Sequence, residues 1–187
     1  MMLEVIKSAS SEAWVGLAGV LFGALLTTFS VWLTNKANFR NLKEQLRHGE
    51  KLNNSKQRKE RLEELYILIS HWNNLFFSHY LNLTLVMRGQ IDYNQYLDAI
   101  NSSDNKGIDF SRIEMIIDVY GAEFSDAYKK VIKVRERINA INASHKRAYL
   151  NGSSGEDFLD VAADAQIALG NACDILKLQI AEAARVA

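Results

Sequence analysis

The chain has 187 residues, in which 22 Lys and Arg balance 22 Asp and Glu, with one cysteine and no proline. A single cysteine excludes a disulfide framework within one chain and fits a reducing compartment. The lack of proline leaves long helices unbroken and excludes a rigid Pro-rich linker.

The zero net charge hides an asymmetry. Residues 1–35 carry Glu4, Lys7 and Glu12, a net of −1, whereas residues 36–61 carry nine Lys or Arg against Glu44, Glu50 and Glu60, a net of +6. The remainder therefore carries −5. A basic block beside an apolar stretch is the pattern of a segment that flanks a membrane.

The apolar stretch comes first. Ala13 to Asn35 holds no charged residue, and its core, AWVGLAGVLFGALLTTFSVWL, is 21 residues long. As a helix it would be ~31 Å, about the thickness of a bilayer's hydrocarbon. Trp14 and Trp32 stand near its two ends, where indole rings favour the headgroup region. The sequence therefore predicts a transmembrane helix over 13–34 after a short tail, 1–12. A cleaved signal peptide and the core helix of a soluble protein compete with this reading. The first has a shorter apolar region and a small-residue cleavage site, and the second lacks terminal tryptophans. Lys36, Arg40, Lys43 and Arg47 follow the span, so the positive-inside rule puts the tail outside and the C-terminal part in the cytoplasm of a bacterial inner membrane. These four residues are also candidates for resting on the lipid surface.

Within the span, Gly16, Gly19, Gly23, Thr27, Ser30 and Thr34 form one stripe, at steps of 3, 4, 4, 3 and 4. Gly19-x-x-x-Gly23 has the spacing that lets two helix backbones touch. The stripe predicts homo-oligomerisation, with hydroxyls that could line a pore. Glycine and threonine are also frequent in membrane helices for other reasons.

Residues 35–61 read as a basic, solvated connector, helical or frayed at Gly49 and at Asn53-Asn54. Its charge could meet nucleic acid, but no aromatic residues interleave with it, which ranks that partner low. From Leu62 a seam begins: Leu62, Leu65, Ile69, Trp72, Phe76, His79, Leu83 and Val86 alternate steps of 3 and 4. Gly89 is the predicted stop. A short helix should start at Asp92, whose spacing to Gln95 is that of a capping box, with Ile91 and Tyr96 as a staple. Residues 101–107 read as a loop.

The next helix is predicted from Ser111, with Glu114 as its capping-box partner and Phe110 and Met115 as its staple. Its seam is Ile113, Ile117, Tyr120, Phe124, Ala127, Val131, Val134, Ile138, Ile141, His145 and Ala148, with a weak point at Gly121. Asn151 to Gly155 reads as a turn, and Ser153 with Glu156 as another capping box. The last helix is expected to bury Phe158, Val161, Ala165, Ala168, Ala172, Ile175 and Ile180. The fold class is thus all-α: a transmembrane helix continuing into a long basic helix, then an antiparallel three- to four-helix cytoplasmic bundle over 62–187.

No phosphate-cradling loop, nucleophile elbow or metal-binding spacing occurs, so neither a metal nor a cofactor is expected. One catalytic spacing stands out. Asn74-x-x-x-x-His79 has the form of the Arg-x4–6-His motif of helical ribonucleases, with Asn where the charged residue should stabilise the phosphorane. His145 also sits on a seam and could complete a composite site with His79. Core histidines with hydrogen-bond partners are the competing reading for both.

In layout the chain resembles small membrane accessory proteins of bacterial antiviral systems. In particular it resembles the HEPN-like membrane accessory proteins that accompany type VI-B CRISPR nucleases. The resemblance lies in the layout: the short tail, the Gly-rich span, the basic helix and the proline-free helical part, while the run RKERLEELY from Arg58 to Tyr66 is similar to the segment that follows the anchor in many small bacterial membrane proteins. It implies an oligomeric membrane pore acting in defence. Asn74 departs from the family's motif, and no catalytic role is carried over. The leading expectation is a homo-oligomeric inner-membrane protein, not an enzyme, that perturbs the bilayer. Its alternatives are a scaffold for a cytoplasmic protein partner and a membrane-tethered ribonuclease.

Overall fold

The computed structural model describes residues 10–102 and 107–187, and every element in them is helical. Lys7, most of the tail and residues 103–106 of the predicted 101–107 loop lie outside the described residues, and Asn101 and Ser102, read as loop, are instead the last residues of the preceding helix. The elements are α1 (Ser11–Met87), α2 (Tyr93–Ser102), α3 (Phe110–Tyr120), a 3-10 turn (Ala122–Phe124), α4 (Ser125–Leu150), a second 3-10 turn (Glu156–Phe158) and α5 (Leu159–Val186). The chain divides within α1 into two compact units, Met1–Asn53 and Asn54–Ala187.

In the first unit every described residue is exposed, and all from Ser11 onward are helical. The helix continues through Gly49 and Asn53-Asn54, where fraying was an alternative. One glycine and two asparagines cost a helix only about 1 kcal/mol each, or less, relative to alanine. Flanking Glu, Gln, Lys, Arg and Leu residues are strong helix formers.

The second unit is built on the seam of α1. Leu62, Leu65, Ile69, Trp72, Leu83 and Val86 are buried, with Phe76 and His79 half-buried. Burying each large apolar side chain contributes roughly 1.5–3 kcal/mol. Trp72 is the centre. Its ring meets Phe110 at 5.2 Å and Phe76 at 5.9 Å, both edge-on. The Arg135 guanidinium lies 6.0 Å from the Trp72 ring and 5.6 Å from that of Phe110. One core cluster joins Leu62–Trp72 of α1 to residues of α3, α4 and α5. A second gathers Leu83, Val86, Met87 and Ala162, with Ile91, Tyr93 and Tyr96 packed against it. Helices α4 and α5 pack along each other.

Helix ends follow the local chemistry. After α1, Gly89 adopts φ +66°, its N–H donates to Val86 O, and that of Gln90 donates to Leu85 O. Gly152 repeats this after α4, with φ +72° and bonds from Gly152 to Tyr149 O and from Ser153 to Ala148 O. Both are Schellman stops, which need the left-handed conformation that glycine adopts without strain. Asp92 and Gln95 form a reciprocal capping box, with bonds of 2.8 and 2.9 Å.

Three expectations are corrected. Helix α3 starts at Phe110 rather than Ser111, because Asp109 is its cap: the Asp109 carboxylate accepts from the Arg112 N–H at 2.9 Å. Docking Phe110 on Trp72 draws that residue into the first turn. Ser154, not Ser153, accepts from the Glu156 N–H, at 3.2 Å. In α5 the buried face is Ala162, Ala165, Gln166, Leu169, Cys173, Leu176 and Ile180, while Val161 and Ile175 are 41% and 55% exposed. Small apolar residues surround this helix on several sides, and the bulk of Leu169 and Leu176 decides the face. Gly121 does break the predicted long helix. The 3-10 turn that follows it buries Phe124.

Ionic contacts tie the start of the second unit together. Glu64 accepts from Arg112 at 2.6 and 2.8 Å and from Arg61 at 2.8 Å. The fork of hydrogen bonds from Arg112 holds the Glu64 carboxyl below its usual range. Arg58 donates to Tyr120 O at 3.2 Å and pairs with Glu123. Two cations at the end of the basic stretch therefore have partners in the folded unit.

Candidate functional site

Among the described residues, one helix, near the N-terminus, is long and apolar enough to cross a membrane, and none of its most apolar stretch is buried within the protein. Trp14, Leu21, Phe22, Leu25, Phe29 and Trp32 are all about half exposed or more. Exposed apolar patches of this length call for a partner or a lipid phase.

The stripe has two chemically different halves. At Gly16, Gly19 and Gly23 a β-carbon would meet nothing within 4 Å. These positions expose backbone to whatever lies alongside. Towards the C-terminal end, Thr27 donates to Gly23 O at 2.8 Å and Thr34 to Ser30 O at 2.9 Å. Off the stripe, Thr28 bonds Ala24 O at 2.8 Å in the same way. These threonine hydroxyls have no unsatisfied proton to offer a neighbour or a water column. What the glycine half offers is close approach, not hydrogen bonding.

Past the span, Lys36, Arg40, Lys43 and Arg47 are exposed, and none forms an ion pair among the described residues. Lys36 lays its ammonium 5.1 Å from the Trp32 ring centroid. This couples a cation to the aromatic residue at the predicted membrane edge.

The histidines of the second unit occupy separate places. His79 is half-buried on a cavity of about 150 Å³ between α1, α4 and α5, with Phe76, Ile138, Ile141, Ala165 and Gln166 among its walls. Burial lowers the His79 pKa, which favours the neutral ring. Asn74 is exposed and lines a shallower groove nearby rather than this cavity.

His145 is 1% exposed and does not line the cavity. Its Nδ1 lies 2.9 Å from the Tyr93 hydroxyl, and its ring stacks on Tyr93 at 5.7 Å and meets Phe158 at 5.4 Å. Burial lowers the His145 pKa and pushes that of Tyr93 up to about 12. Both groups are therefore neutral, and the hydrogen bond between the Tyr93 hydroxyl and Nδ1 leaves Nε2 as the ring's second nitrogen. That atom is buried without a partner. No hydrogen bond or ring contact joins Asn74, His79 and His145.

Three residues here escaped the sequence. Tyr93 is 52 positions from His145, and nothing local marks the pair. Gln166 adjoins Ala165 on the buried face, but its amide hides it from an apolar pattern. Gly155 looked like a turn residue. In fact a β-carbon there would lie 2.6 Å from both Cα and O of Met87 and 2.8 Å from His145 Nε2. Among the described residues, no three His, Cys, Asp or Glu side chains gather closely enough to hold a metal ion. Compared with known proteins, the chain matches no family model, no curated protein and no solved structure.

Proposed function

We propose that this is a single-pass protein of a bacterial inner membrane that self-associates through the Gly16, Gly19 and Gly23 face, so that the assembled spans perturb or perforate the bilayer. The observation that carries the reading is the open backbone at those glycines, on a wholly exposed apolar helix. In lipid no hydrophobic force drives helices together, and dispersion between closely approaching backbones takes its place. Because Thr27 and Thr34 bond their own helix, the proposal rests on that approach rather than on hydroxyls lining a channel.

The exposed cluster Lys36, Arg40, Lys43 and Arg47 supports a cytoplasmic position for everything after the span. The helical unit would be an antiparallel three- to four-helix bundle. The tight stops at Gly89 and Gly152 and the shared core support that topology. Its role would be to receive a cytoplasmic signal or partner that controls assembly. The layout shared with HEPN-like membrane accessory proteins favours a role in antiviral defence.

Reconstitution tests the proposal. Wild type in liposomes should release a trapped dye, and Gly19→Leu with Gly23→Leu should abolish release while leaving insertion unchanged. Equal release by the double variant would overturn the glycine-face reading. A second reading, a scaffold with a passive span, is favoured by Ile67, Phe77 and Leu178, large apolar residues exposed on the second unit. It predicts no release and an unaffected double variant.

A further inference from the structure

Helix α2 is short and lightly held, yet it lies over buried apolar residues. None of its residues from Tyr93 to Asn101 is fully buried. Ile91, just before it, and Tyr93 and Tyr96 within it pack against Leu83, Val86 and Met87 at the end of α1, which are 4%, 2% and 2% exposed. A hydrogen bond crosses from α2 to α4, between the Tyr93 hydroxyl and His145 Nδ1. The ring that receives this helix is thus a buried, titratable one.

Nothing charged stands beside that ring. Tyr93 of α2 stacks on it with Tyr96 edge-on behind, and Tyr149 of α4 lies 6.4 Å away. From the turn into α5, Phe158 meets the ring, and Gly155 comes close both to Nε2 and to the Met87 backbone of α1. The charged residues on these elements point elsewhere: Arg88 after α1, Asp92 and Asp98 at α2, Lys146 and Arg147 on α4, Glu156 and Asp157 in the turn and Asp160 on α5 are all exposed. Burial is what lowers the His145 pKa.

An imidazolium in this place is a buried cation without a counter-ion, and its Nε2 proton has no acceptor. Aromatic faces return only part of that cost. Water relieves the rest once a neighbour moves aside. Helices α1, α4 and α5 are held together by the shared core, which leaves α2 as the neighbour that moves. We propose that α2 is a pH-sensitive strap: when His145 takes a second ring proton from solvent, α2 lifts from α4, water reaches the imidazolium, and Leu83, Val86 and Met87 are uncovered. The device belongs to the second unit and does not rest on self-association of the spans.

The test is amide hydrogen exchange, read by mass spectrometry on full-length protein in non-ionic detergent. After correction for intrinsic exchange, the opening constant of α2 should rise about tenfold from pH 7.5 to pH 5.5. One proton gives that ratio when the open ring titrates at the ordinary 6.5 and the closed ring stays neutral. Low urea should leave α2 exchange at pH 5.5 unchanged, because a local opening exposes little surface, while core amides of α4 and α5 accelerate. His145→Gln should remove the pH dependence of α2, and His79→Gln should keep it. Where His145→Gln does not fold, wild type and His79→Gln carry the test. An α2 opening that does not change with pH would overturn the proposal. So would α2 exchange that follows the core in urea, a pH dependence lost in His79→Gln, or one that survives in folded His145→Gln.

Discussion

At position 155 the packing depends on a missing β-carbon. Adding one drives it into the backbone of Met87, which a side-chain rotation cannot relieve. Gly155→Ala should therefore destabilise the second unit by about 1–3 kcal/mol, the usual cost of overpacking. Gly170→Ala, in open space within α5, should be neutral or stabilise by up to about 1 kcal/mol. Urea unfolding of the two variants checks both signs. His145 makes a pH prediction. Its folded pKa is depressed below the ordinary value of 6.5, so the unfolded chain binds its proton first. The stability it contributes is present above pH 6.5 and is lost as pH falls through the lower folded value. Half-buried His79 has the same sign, and Glu64 acts only lower, below about pH 4.5. Melting followed from pH 7.5 to 5.5 should show a decline that His145→Gln reduces, and an unchanged slope would count against a neutral buried His145. The sequence marked His145 through its seam position. It could not mark Tyr93 or the Gly155 contact, because both arise from chain segments that meet only after the helices dock.

Among the elements, seams were legible wherever bulky side chains carried the period. Leu62 to Val86 in α1 and Ile113 to His145 in α3 and α4 follow the expected faces closely, although Ile116 and Tyr128 are also buried. The α5 register was not legible. Its alanines occur on more than one side, and burying alanine discriminates weakly between faces. Helix starts were legible in kind but shifted in place, since Asp109 and Ser154 compete with Ser111 and Ser153 for the same role. Removing the competitors separates them. Asp109→Ala should cost about 1 kcal/mol by loss of the cap, whereas Ser111→Ala, inside the helix, should cost little. Thermal melting of the pair checks this, and a larger loss at Ser111 would return the cap to the predicted residue. Self-bonded threonines could not be read from spacing alone, since the same spacing also fits a hydroxyl stripe facing outwards.

For the whole molecule, the 3- and 4-residue seams, the capping signals and the uncharged apolar stretch already pointed to an all-helical chain with one apolar helix near its start, and the described residues have both. Whether the exposed span finds lipid, and which side the rest occupies, are matters of the proposal. Trypsin checks the topology. The exposed Lys36–Lys51 stretch should be cleaved in inside-out membrane vesicles and protected in right-side-out ones, and the reverse pattern would invert the proposed orientation. The central claim is that the glycine face brings spans together. Sedimentation equilibrium of the full-length protein in density-matched detergent tests it most directly. The account predicts a buoyant mass that rises from one chain to several as the protein-to-detergent ratio increases, and that stays at one chain in Gly19→Leu with Gly23→Leu. A wild-type mass fixed at one chain across that range would contradict it.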